Sequence, residues 1–134
     1  MAQDALGNEV SRASAATLQG IDDFVTGFLG YEKKAANIIA AADGEPDAVL
    51  ANTYAGFTWM FLEADGAKAM AGTYLARAEA AATGTNERER MLIAQLERWI
   101  ADDIPAVQAI GDELVTRYPR DLASVKLHQY FSFN

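Results

Sequence analysis

Apolar residues recur at three- and four-residue intervals along almost the whole chain, and that spacing leaves the α-helix as the regular element most segments can form. Leu18, Ile21, Val25 and Phe28 make one stripe over residues 12–29, which Gly30 punctuates. Residues 31–43, "YEKKAANIIAAAD", put Ile38, Ile39 and Ala42 on an inner side and end at "DGEP". A third stripe of Leu50, Tyr54, Phe57 and Phe61 runs from Asp47 to about Ala64, where "DG" breaks it. The alanine-rich "AKAMAGTYLARAEAAAT" has high helix propensity, with Met70 and Tyr74 as its largest contact groups. Thr85 or Asn86 can cap a fifth helix whose first turn carries Glu87 and Glu89 and whose stripe is Met91, Leu92, Leu96 and Trp99. Asp102-Asp103 end it and cap the next, which starts at Pro105 and turns Val107, Ile110 and Leu114 inward. "YPRDLASVKLHQYFSFN" supplies a seventh. No sustained alternation signals a strand. The connections are short enough to force antiparallel neighbours, so the expectation is an all-α stack of helical hairpins over residues 12–134, after a flexible lead-in of residues 1–11.

A length of 134 residues, 51% apolar and 22% charged, is that of one globular domain with a sizeable core. A net charge of −8 opposes nucleic acid and anionic membrane surfaces as partners. No run approaches the roughly 20 apolar residues of a membrane span, the start does not read as a signal peptide, and the expected compartment is the cytoplasm. Protein or small-molecule partners remain.

Catalytic inventories are thin. His128 is the only histidine and there is no cysteine, which excludes zinc sites built on those ligands and the paired Glu-x-x-His pattern of di-iron bundles. Nothing selects a nucleophile for His128. Adjacent carboxylates such as Asp22-Asp23 and Asp102-Asp103 diverge by about 100° on a helix, so neither pair converges on one atom. No catalytic residue, metal or cofactor is expected.

Pro46 and Pro119 sit in matching contexts, "AAADGEPDAVLANTY" and "LVTRYPRDLASVKLHQ", 73 residues apart. That distance is two units of about 36 residues, a period of helix–turn–helix solenoids. The pattern resembles tetratricopeptide (TPR) repeats, with Gly56 at the small-residue place of a first helix and Ala55 and Trp59 beside it. The fuller resemblance is to the tetratricopeptide repeat protein 38 family. It is carried by "YLARAEAAATGTNERERMLIAQLERWIADDIPAVQAIGDELVTRYPRDLASVKLHQYFSF" and by "DFVTGFLGYEKKAANIIAAADGEPDAVLANTYAGFTWMF". Lys34, Val107 and Gly111 depart from the usual alanine or aromatic positions.

The resemblance implies a right-handed TPR-like stack and a protein-interaction role, and it supplies no reaction. It also implies a concave face lined by the third, fifth and seventh helices: Leu50, Phe57, Met60, Leu92, Leu96, Trp99, Lys126 and Tyr130, with Phe133. The competing reading of those residues is that they are core, or are covered by later repeats of a longer parent protein. With Lys126 the only cation there, a carboxylate clamp is not expected, and an apolar or amphipathic helix suits the face better. Solenoids need polar outer faces on their terminal units. The aromatic last segment therefore reads as the first helix of a further hairpin, in the N-terminal fragment of a longer repeat protein. Pairing of that helix with a second copy, or a place at the front of a larger enzyme, are the alternatives.

Overall fold

The Ser14 hydroxyl accepts the Thr17 amide at 3.2 Å and starts helix α1 (Ala15–Gly30). The computed structural model describes residues 2–30 and 32–133, with the side chain of Phe133 outside the described set. The segment expected as one second helix divides into a 3-10 turn (Lys33–Ala36) and a short α2 (Asn37–Gly44). Helix α3 (Val49–Leu62) is the centre of the molecule, with ten of its fourteen residues buried, and Glu63 at φ 51° ends it. Gly66, at φ 79°, takes the left-handed turn into α4 (Ala67–Ala80), a conformation that costs glycine little. Tyr74 of α4 is buried, whereas Met70 is 39% exposed, so only one of its two expected contact groups packs inward.

Helix α5 (Glu87–Ile100) starts as the sequence foretells: the Asn86 side chain accepts the Glu89 amide at 2.9 Å. Asp102 turns the chain at φ 60°, and Asp103 caps α6 (Ile104–Arg117) by accepting the Ala106 amide at 3.2 Å. Asp121 does the same for α7 (Leu122–Phe133), accepting the Ser124 amide at 3.0 Å.

Successive helices pack as neighbours from α1 to α4 and from α5 to α7, and α3 and α4 both pack on α5. Two close approaches fix the spacing. A Cβ on Gly20 of α1 would lie 2.4 Å from the Ala41 Cβ of α2, and one on Gly56 of α3 would lie 2.4 Å from a Leu96 methyl of α5. Helix α1 reaches past α3 to touch α7 as well, closing the molecule around a single main apolar core. The fold is all-helical apart from a short N-terminal hairpin. Residues 1–11 carry no strand signal and were expected to be flexible; over residues 2–10 the chain pairs β1 (Ala2–Gln3) with β2 (Glu9–Val10), antiparallel. Asp4 closes the turn by accepting the Leu6 and Asn8 amides, and Val10 is wholly buried in the core. No helix among the described residues is long and apolar enough to cross a membrane.

Candidate functional site

The residues expected on a concave face do converge, but on the interior. Leu50, Phe57, Met60, Leu92, Leu96 and Trp99 are all buried in the main core cluster. Tyr130 packs against them half-buried, its ring 5.2 Å from Phe61 and 6.5 Å from Trp99. Helices α1 and α7 cover the stripe: Phe24 stacks on Tyr54 at 4.4 Å, and Phe131 meets Trp99 edge-on at 4.8 Å. Lys126 does not join the apolar set. Its ammonium donates to the carbonyls of Phe28 and Leu29 at the end of α1, where the helix dipole favours a cation. Burying each large apolar side chain contributes about 1.5–3 kcal/mol, which is the physical reason the six close into core instead of lining an open groove. The side chain of Phe133 lies outside the described residues.

Between α1, α3, α5 and α7 the aromatic packing leaves a void of about 10 Å³, lined in part by Tyr54, Leu127 and Ser124, enough for one water at most. A larger depression of about 440 Å³ opens at the α3–α4 turn, with Met60 and Trp99 among its lining residues. Glu63, Asp65 and Asp102 also line it, and Lys68 pairs with Asp102 across it. Among the described residues, the exposed large apolar groups are Leu62 (56%), Met70 (39%) and Leu122 (42%).

A buried polar cluster is the part of the molecule that periodicity missed. Arg88 donates to Asp121 Oδ2 at 2.8 Å, with both side chains almost fully buried, and to the Glu9 carbonyl at 3.0 Å. Ser124 donates its hydroxyl to the same Asp121 oxygen at 2.9 Å. One residue on, Glu89 Oε2 accepts the Ser11 amide at 2.9 Å and the Asn86 side-chain amide at 3.1 Å. Burial pushes the Glu89 carboxyl above the usual carboxylate range, against the hydrogen bonds from Ser11. Burial likewise raises the Tyr54 phenol, against the pull of the Arg88 guanidinium beside it. A signal existed in the sequence: Arg88 lies four and eleven residues before Leu92 and Trp99, on the same apolar stripe. A cation there demands a buried partner.

His128 holds Asp112 through Nε2 at 2.8 Å, while its Nδ1 is buried without a partner on the side of Gly111. Among the described residues no group of three or more His, Asp or Glu side chains is placed to hold a metal ion. The fold and its surface thus define an all-helical protein with an aromatic core, a buried ion pair and an open acidic depression at the α3–α4 turn. No protein-family model, curated protein or solved structure matches the chain.

Proposed function

We propose that the chain is a non-catalytic, TPR-like interaction scaffold: a right-handed stack of antiparallel helical hairpins resembling the N-terminal part of the tetratricopeptide repeat protein 38 family. The observation that carries this reading is the contact of α3 with α5 at Gly56 and Leu96, where a Cβ would lie 2.4 Å from the Leu96 methyl. It supports the reading because a stacked repeat brings the first helices of successive hairpins into contact. With the apolar stripe taken up as core, partner binding falls to the outer surface. Leu62, Met70 and Leu122 supply its apolar contacts, and Glu63, Asp65 and Asp102 make the depression by the α3–α4 turn suit a helix with a basic flank.

The test is site-specific photocrosslinking, with benzoylphenylalanine in place of Leu62, Met70 or Leu122 in cells. A discrete heterologous adduct from at least one site is expected. An adduct of twice the chain's mass would replace partner binding with self-association. No adduct from any of the three would overturn the scaffold reading.

A further inference from the structure

The first turn of α5 spends unusual polar resources on one short stretch of main chain. Arg88 (3.0 Å) and Asn86 (3.2 Å) both donate to the Glu9 carbonyl, and Glu89 accepts the Ser11 amide at 2.9 Å. Between these two residues, Val10 places its side chain wholly inside the core. The Ser11 hydroxyl in turn accepts the Asn86 amide at 3.0 Å. Donors to one carbonyl, an acceptor for the amide two residues on, and an apolar pocket between them are the elements by which proteins read an extended peptide. Apolar burial of Val10 alone would hold a terminal strap, and it would need no buried charges.

A second observation points to an occupant other than the resident one. Glu89 is 1% exposed, and its Oε1 has no hydrogen-bond partner. An unpaired carboxyl oxygen in the interior is unfavourable, and stability of the domain gives no reason to keep it. Beside its chain neighbours Asn86 and Arg88, a depression of about 410 Å³ opens onto Gly7, Asn8 and Glu9 of the hairpin and onto Tyr118. An occupant bringing one further hydrogen-bonding group would satisfy Oε1, which Glu9-Val10-Ser11 does not.

We propose that Asn86, Arg88 and Glu89 form a receptor for an extended peptide main chain with a β-branched apolar side chain, and that residues 9–11 are its resident occupant in cis. The resident segment is joined to α1 through Arg12, Ala13 and Ser14 alone, so its effective concentration at the receptor is in the millimolar range or above. A free peptide therefore competes poorly until the resident is weakened. A chain that captured nothing through Leu62, Met70 or Leu122 would still bind such a peptide, and the reverse holds equally.

The test uses the full chain and a fluorescein-labelled peptide of residues 5–13, titrated by anisotropy into the wild type and into Val10→Asp, whose resident segment is disfavoured in the pocket. Binding to Val10→Asp at least tenfold tighter than to the wild type is expected, with no saturable binding of a control peptide carrying the same Val10→Asp change. Equal binding of both peptides, or none to a folded Val10→Asp chain, overturns the proposal. Should that variant not fold, hydrogen exchange on the wild type decides. The Ser11 amide should exchange at least tenfold faster than the Leu92 and Tyr54 amides, and exchange of Ser11 only through global unfolding would reject a displaceable occupant.

Discussion

Arg88 is 3% exposed and faces an equally buried Asp121, a pair whose desolvation is costly and whose worth lies in what happens when one partner is lost. Asp121→Asn keeps an acceptor for the Ser124 amide, so the start of α7 stays capped while Arg88 is left as an unpaired buried charge. We expect urea unfolding to show a loss of about 3–5 kcal/mol. Arg88→Met combined with Asp121→Asn should recover part of that loss, because no lone charge remains. Glu89 gives a second prediction, through pH. Its folded-state carboxyl is raised by burial, so the acid form is favoured in the fold. The stability it contributes is present below the unfolded value and is lost as pH rises through the folded one. Relative to Glu89→Gln, the wild type should therefore gain stability as pH falls from 7 to about 4.5. Unfolding midpoints of the two proteins across that range check the sign; a gap that widens against the wild type would contradict it.

At the scale of the helix, glycines separate contact from propensity. Gly72, inside α4, has open space where a Cβ would go, so Gly72→Ala should stabilise by about 0.5–1 kcal/mol through helix propensity. Gly20→Ala gains the same propensity but drives its Cβ to 2.4 Å from the Cβ of Ala41, a short side chain that cannot turn away. Helices α1 and α2 must separate, and a net loss of about 1–3 kcal/mol is expected. Thermal melts of the two variants should move in opposite directions. The same contrast explains what the sequence could tell. Caps and breaks are local chemistry, so Asn86, Asp103, Gly66 and the helix ends they set were legible within a residue or two. Period told which residues share a face, grouping Leu92, Leu96 and Trp99 correctly. It could not tell what covers that face, because the cover comes from Phe24 and Phe131, tens of residues away in the chain. Val10 was missed for the same reason: a single buried residue in a two-residue strand leaves no period to read.

Across the whole molecule, α7 decides whether the aromatic core is closed. It is held near its start by the Arg88–Asp121 pair and near its end by Gln108, which donates to the Phe131 carbonyl at 3.0 Å. Lys126 ties its middle to the last carbonyls of α1, and Leu127 and Phe131 enter the core between these anchors. An element fixed this way to α1, α5 and α6 is not a peripheral addition, because lifting it off would bare Phe61 and Trp99 together. Its loss should therefore coincide with loss of the whole fold. Leu127→Ala removes a side chain that is 3% exposed, and the cavity left behind should cost about 2–5 kcal/mol. In urea, this variant should unfold in one transition, with helical circular dichroism and tryptophan fluorescence changing together at a lower midpoint. A tryptophan transition that precedes the loss of helix would show α7 opening on its own. The aromatic stripe would then be a surface the molecule can expose, not core that it keeps closed.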